Sequence, residues 1–538
     1  MNSDTFIYCE DRNVVNITRR WLQDCDENHT DCNKAQVGTL PGRLLYVGED
    51  QMRLVSTAGW ASGRHYTTLS HRWNADDFTM LWNENADPLS IAVPEQALPG
   101  TFSDAIGITR KLSIDYIWID SLCIIQDDED DWRRETAIME HIYGGSYLNL
   151  AASSATSVHG GCWVSNNRVC NAFRIKVKVG DDELVREIRD DAFYDRAVWD
   201  SHLATRAWAL QEKLLSPRTL HLGDRGAIWE CRSTIANDDL PDGFTQNLGS
   251  GLLRRTRNLQ HLQQWWAEAV RLFTKADLTC ARDKLPALSG IARHVHSQKG
   301  GQYLAGLWRD ERIEAQLCWR VEEPRLRPTM WRAPSWSWAS VDGPVSYAPT
   351  QPGMCEDEYA HVVAARVTPL IDDVFSELTG RVLRISCTGV LLGRMVDRDN
   401  VIILGEDDPF HCPVHLDTIN ESSLSPNVTL YLLPLIGGKQ GTVIRRDGDR
   451  FEPKLILGLV LRATGGNTRE FRRIGAFKCE QCQVPETALN NDLYHGFIQR
   501  LERQLFNCII TGVSGYQGAP PTVLMFVDKG DANLSALP

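Results

Sequence analysis

The stretch 116-YIWIDSLCIIQDDEDDWRRETAIMEHIYGGS-146 decides how this chain is read. It begins as an apolar run, ends that run on Asp120, and releases Ser121, Cys123 and Gln126 before an acidic segment. The apolar 116–120 reads as a buried strand closed by Asp120, and 128–143 as a helix with Trp132, Met139, Ile142 and Tyr143 on one side. In an α/β fold the polar residues at a strand's carboxyl end are where ligands bind, although every strand must leave the core somewhere.

Working outward, 66-YTTLS-70 reads as a strand before this stretch and 147-YLNLAAS-153 as one after it. Between the first two, 99-PGTFSDAIGITRKL-112 reads as a helix capped by Thr101, with Phe102, Ala105, Ile106, Thr109 and Leu112 on one face. Strand–helix–strand–helix–strand with short connections predicts a mostly parallel sheet flanked by helices. Downstream, 205–231 reads as a helix stopped by Pro217 and then two short strands. A helical segment carrying Trp265 and Trp266 covers about 252–275. The Trp-rich 331-WRAPSWSWASVDGPV-345 contains prolines that forbid one regular helix, and alternating stretches after residue 360 predict a β-rich C-terminal region. The expected organisation is a lead-in over 1–60, an α/β domain over 60–220, a helical and Trp-rich connection over 221–355 and a β-rich domain over 356–538.

The chain has 538 residues and a formal net charge of −13, which argues against a dedicated nucleic-acid binder because phosphate contact needs a basic face. No apolar run reaches the ~18–20 residues of a membrane span. The acidic start lacks a signal core, and the 15 cysteines read as reduced thiols, so a cytoplasmic location is expected. Seventeen tryptophans imply large aromatic cores or pockets. The glycine-rich phosphate loops and the G-x-S-x-G elbow are absent, which excludes only the common phosphate cradles, and no cofactor is expected.

Two Cys/His groups bear on metal binding: Cys25, His29 and Cys32 with Cys9 upstream, and His411, Cys412 and His415 with 479-CEQC-482. Neither has the compact doubled pair of a strong zinc signature, and the expectation is ordinary thiols and surface histidines with no metal. Among the carboxylates, Glu212 lies one helical turn after Trp208 in RAWALQEKLL, where an aromatic wall raises a carboxyl pKa by desolvation. The bland alternative is a solvated helix face. Arg206 is suited to pair with an acid, and Ser70, His71 and Arg72 follow the first strand where a parallel-sheet ligand sits. Cys123 has no local base, which favours a buried structural thiol.

The blocks YTTLSHRW (66–73), YIWIDSLCIIQDDEDDW with its following E and ME-IY (116–143), and RAWALQEKLLSPR (206–218) resemble, in order and spacing, the fungal heterokaryon-incompatibility (HET) domain family. The segments at 21–32, 40–47 and 333–343 resemble the flanks of full-length members. Three positions depart from the usual blocks: Asn74, Ile125 and Ala207. HET domains are in turn distantly similar to Toll-receptor-like (TIR) domains, which implies a TIR/flavodoxin-like fold. It also implies a role in non-self recognition and cell death, NAD as a substrate, and Glu212 as the catalytic acid with Asp120 second. Ser70, His71, Arg72, Trp73, Ser121, Cys123, Gln126, Arg206 and Trp208 would then bind substrate. The acidic helix, with Glu135 and Glu140, would be solvated structure or interface. A homo-oligomer and an incompatibility partner protein are the associations implied. Two other readings stay open: a non-catalytic assembly module, and a HET-like scaffold recruited to secondary-metabolite synthesis with the Trp-rich region as its pocket.

Overall fold

The computed structural model describes residues 14–33, 39–61, 63–72, 79–162, 172–179, 182–189, 192–244, 262–309, 312–347, 357–387, 389–403, 410–422, 424, 428–439, 443–444, 450–451, 454–464, 470–480 and 522–526. Trp73, Cys9 and Cys482 lie outside these described residues. The chain divides into two compact units, one formed by Met1–Gln260 with Ala276–Leu278 and Ala287–His294, the other by the remainder.

The first unit opens with helix α1 (Val14–Asn28) and strands β1 (Arg43–Tyr46), β2 (Arg53–Ser56) and β3 (Thr67–Ser70). Helices α2 (Ala86–Ile91) and α3 (Gly100–Lys111) lead to β4 (Tyr116–Trp118), and the one-turn α4 (Asp120–Cys123) follows directly. Next come α5 (Glu129–Ala137), α6 (Met139–Gly144) and β5 (Leu148–Ala152). The hairpin β6 (Ala172–Val179) and β7 (Asp182–Arg189) precedes α7 (Ala207–Leu215), β8 (Arg218–Gly223), β9 (Gly226–Cys231) and β10 (Ile235–Asn237).

These strands build an eight-stranded sheet in the order β10-β9-β8-β5-β3-β4-β1-β2. Its centre, β4-β3-β5-β8, is parallel, and β3 and β5 are buried along their whole length, as strands covered on both faces must be. Both flanks are antiparallel, which corrects the expectation of a mostly parallel sheet. The cause is loop length: β1–β2 and β8–β9–β10 are joined by short turns, which only antiparallel neighbours allow.

Three local expectations change. Asp120 does not close the strand but starts α4, because the chain turns at Ile119. The N-cap of α3 is Pro99, not Thr101, whose hydroxyl is buried. The single helix expected over 128–143 breaks at Ile138 into α5 and α6. The acidic run has a plain helical cause. Asp128 caps α5, accepting from the amides of Asp130 (2.9 Å) and Asp131 (3.0 Å), and Glu129, Asp130 and Asp131 occupy the first turn. Negative charge there complements the exposed amides and the helix dipole.

The second unit contains α8 (Leu262–Lys275), and α9 (Pro286–Lys299) is divided between the two units. Its β part comprises β11 (Ala360–Pro369), β12 (Leu378–Cys387), β13 (Leu391–Met395), β14 (Asn400–Ile403), β15 (Phe410–Leu416), β16 (Thr429–Lys439), β17 (Lys454–Ala463), β18 (Glu470–Glu480) and β19 (Thr522–Phe526). Among the described residues β16-β13-β14-β15-β18-β17 closes antiparallel onto β16, a barrel without free edges. Leu391, Val401, Val414, Leu432, Val460 and Phe477 fill it.

Most of the Trp-rich segment is core, with Trp331 half-buried. Trp319, Trp336 and Trp338 are fully buried. Trp266 Nε1 and Trp338 Nε1 both donate to the Gly306 carbonyl, at 2.9 and 3.0 Å, and Trp319 Nε1 donates to the Trp336 carbonyl at 2.9 Å. Gly306 is required twice over: its φ is +93°, and a Cβ would stand 2.6 Å from the Trp338 ring.

Arg473 on β18 ties this aromatic layer to the barrel. It is 0% exposed, stacks 3.2 Å from the Trp319 ring centre, and pairs with Asp417 through Nε (3.0 Å) and Nη2 (3.1 Å). It also donates to the carbonyls of Leu317 (2.6 Å) and Trp319 (2.5 Å). Removing one member of such a pair strands the other charge, which costs about 3–5 kcal/mol. Arg473→Leu is therefore expected to lower the thermal midpoint strongly, and Arg473→Leu with Asp417→Leu to recover part of the loss, as differential scanning calorimetry would record. Equal losses in the single and double variants would show that the pairing is not the cause.

Candidate functional site

Arg206 is the residue through which the site is assembled. It precedes α7 in extended conformation, held there by Asp277, whose amide donates to the Thr205 carbonyl (2.7 Å) and whose carbonyl accepts from Ala207 (3.0 Å). Its guanidinium reaches the carboxyl edge of the parallel strands. Nη2 donates to Asp120 Oδ2 at 2.7 Å, and Nη1 donates to Glu212 Oε1 at 3.0 Å and to the His71 carbonyl at 3.1 Å. One cation thus serves two carboxylates.

Glu212 is 1% exposed. Burial raises its pKa and outweighs the lowering by Arg206, and Asp120 adds to the rise. The hydroxyls of Ser70 and Tyr143 stand near enough to favour its charged form, yet Oε2 makes no hydrogen bond of ordinary geometry. The imidazole of His71 packs edge-on to Phe102 with Nδ1 3.8 Å from Asp120 Oδ1. Burial pushes its pKa down to about 4, against the pull of Asp120, so it is neutral at pH 7. Ser70 Oγ and Thr68 Oγ1 both donate to Asn149 Oδ1, at 3.2 and 3.0 Å, joining β3 to β5.

Several polar atoms here are buried without a protein partner among the described residues: Glu212 Oε2, Tyr143 Oη, both ring nitrogens of His71, Ser121 Oγ and Asn149 Nδ2. Buried polar groups are normally paired, so such a cluster is a place for ordered water or a polar ligand.

Of the residues singled out from sequence, Ser70, His71, Asp120, Arg206 and Glu212 come together, with Ser121 beside Asp120. The other described ones, Arg72, Gln126, Cys123 and Trp208, are engaged in contacts of their own. Arg72 bonds Thr205. Gln126 spends its amide on the carbonyls of Asp120 (3.2 Å) and Ile124 (2.8 Å). Cys123 is sealed in the core, where burial raises its thiol pKa to about 12. Trp208 packs against Trp132, ring centres 6.4 Å apart.

Residues 66–212 match the family model "Heterokaryon incompatibility protein (HET)". The HET match begins one residue before β3 and ends on Glu212, so every side chain of the Arg206 centre falls inside it. No curated protein and no solved structure matches the chain.

The acidic helix in the matched region is solvated only at its start, where Glu129 and Asp130 are exposed. Glu135 and Glu140 are 4% and 7% exposed, and burial raises both pKa values. Glu135 Oε1 accepts from the Gly42 amide at 3.0 Å, and Asp131 pairs with Arg43, so these acids hold β1 to α5. Amphipathic spacing did not reveal this, because their partners lie some 90 residues earlier.

Tyr143 and Asn149 escaped sequence reading because each sits in an element that periodicity assigns to the core. A second buried chain was also missed: Ser153 Oγ lies 3.3 Å from His221 Nδ1, and His221 Nε2 lies 3.1 Å from Glu230 Oε2. Glu230 is shared with Tyr194 (2.6 Å) and Lys213 (3.2 Å), which fixes α7 to β9. No sequence signal joins these residues, which come from three strands or strand ends.

Losing Arg206 leaves two buried carboxylates unpaired. Arg206→Gln is expected to cost about 3–5 kcal/mol, read as a fall in the urea midpoint. Arg206→Lys, which cannot fork to both acids, should fall between wild type and Arg206→Gln.

The depressed pKa of His71 has its own signature. The unfolded chain takes up a proton near pH 6.5, while the folded chain refuses it until about pH 4. The stabilisation is therefore present above pH 6.5 and lost as pH falls through that window, by up to about 3 kcal/mol. Glu212, with its raised pKa, acts in the opposite sense. Urea titrations at pH 7 and pH 4.5 should show a smaller loss of stability for His71→Gln than for wild type. Parallel losses would assign the acid sensitivity elsewhere.

Proposed function

We propose that this chain acts in heterokaryon incompatibility, as a fungal protein of self/non-self recognition whose response is cell death, and that the Arg206 centre holds its HET domain closed. The observation that carries this reading is the sealed state of Glu212, with one oxygen on Arg206. A carboxylate so placed cannot meet a nucleotide unless the segment bearing Arg206 moves. In the closed state the domain is a recognition and assembly module, with an incompatibility partner protein or further copies of itself as its associates.

A second reading has its own support. Glu212 has a raised pKa, a free Oε2, and Tyr143, Ser70 and neutral His71 around it, at the carboxyl edge of parallel strands where a TIR/flavodoxin-like fold binds its ligand. Opened by release of Arg206, this constellation suits NAD cleavage, with Glu212 stabilising a cationic ribosyl transition state.

The test is nicotinamide release by the purified protein, alone and as a forced oligomer, for wild type and Glu212→Gln, beside cell death on expression. Release that drops by a hundredfold or more in Glu212→Gln, at unchanged substrate affinity, establishes NAD cleavage. No release from either, with equal cell death, establishes the module. Absence of cell death with wild type in a fungal host would overturn the effector role itself.

A further inference from the structure

We propose that Cys25, His29, Cys32 and Cys231 form a tetrahedral zinc site that clamps α1 to the β9–β10 turn. Three of these residues stand close in sequence, but the fourth arrives from 199 positions beyond Cys32 and was invisible to spacing. In the fold one ligand atom from each lies within 4.8 Å of all the others.

The geometry fits zinc closely. Zn–S bonds of ~2.3 Å and a Zn–N bond of ~2.0 Å at tetrahedral angles place sulfur and nitrogen about 3.6 Å apart. Cys231 Sγ and His29 Nδ1 are 3.5 Å apart. Cys25 ends the last turns of α1, and His29 follows one turn later on the same face, its amide bonded to the Cys25 carbonyl at 3.0 Å. The next turn, in which the Cys32 amide donates to the His29 carbonyl at 3.0 Å, returns Cys32 to the same point. Cys231 ends β9, and its amide closes a tight turn by donating to the Thr234 carbonyl at 2.9 Å. Cys25, Cys32 and Cys231 are buried, and His29 is half-buried.

The surroundings are those of a thiolate centre. The amides of Ser233 (3.4 Å) and Thr234 (3.2 Å) point at Cys231 Sγ. Arg218 Nε donates to Cys25 Sγ at 3.2 Å. His29 Nε2 lies 3.4 Å from Thr234 Oγ1, which selects the tautomer with Nδ1 free to ligate. Zinc with three thiolates carries one negative charge, and Arg218 offsets it. Binding releases three thiol protons to solvent while His29 ligates as the neutral ring. Among the described residues the other sequence group has no such geometry. Alternation along β15 turns His411 and His415 outward, while Cys412 points inward to Cys479, Sγ atoms 3.4 Å apart.

Zinc content of the full chain, purified without chelator, is expected at one ion per chain. Cobalt exchange should give the intense visible bands and near-ultraviolet charge transfer of a tetrahedral thiolate site. Cys231→Ser should lose the ion, Cys280→Ser should retain it, and Thr234→Val should weaken it by about 10–100-fold. Because Cys231→Ser could misfold, the cobalt spectrum of wild type and the Thr234→Val affinity decide independently. Substoichiometric zinc with no cobalt bands, or full zinc retained by soluble Cys231→Ser, overturns the proposal.

Discussion

A single guanidinium, that of Arg206, is shared by two buried carboxyl groups and caps a strand-end carbonyl. The end of β3, the turn from β4 into α4, and helix α7 all meet there. Burying three charges is costly, and the attraction among them repays that cost only with good geometry. The net gain in stability is therefore modest. What the arrangement supplies is position: α7 packs where Arg206 reaches Glu212 Oε1 and Asp120 Oδ2 together, and separating them leaves a charge unpaired. The same constraint explains why Glu212 is unavailable to solvent in this conformation.

The second unit uses the same device. Arg473 joins a carboxylate, two backbone carbonyls and an aromatic face in one planar fork, which a lysine cannot do. Around it Trp266, Trp319 and Trp338 donate their indole N–H groups to backbone carbonyls. The six-stranded barrel disposes of its own strand edges by closure, whereas β11, outside it, pairs among the described strands with β12 alone. No described helix is long and apolar enough to cross a membrane.

The HET match and the polar cluster coincide, but the boundaries of the fold do not follow the match. Strands β1 and β2 precede it and β8–β10 follow it, yet all five complete the sheet that carries the centre. The Cys25–His29–Cys32–Cys231 cluster joins these two outer parts, since α1 comes before the matched region and β9 after it.

Local sequence determined the central strands, the helix starting near residue 100, the stop at Pro217 and the β character after residue 360. Each depends on the spacing of apolar residues or on backbone chemistry within a few positions. It also identified Ser70, His71, Asp120, Arg206 and Glu212 through motif blocks, though not which atoms they share. Tertiary structure alone decided that Glu135 and Glu140 are buried, that Trp208 packs against Trp132, and that Cys231 completes a four-membered cluster. In each of these cases the deciding partner lies far along the chain, and periodicity reports a residue's face without reporting what will cover it.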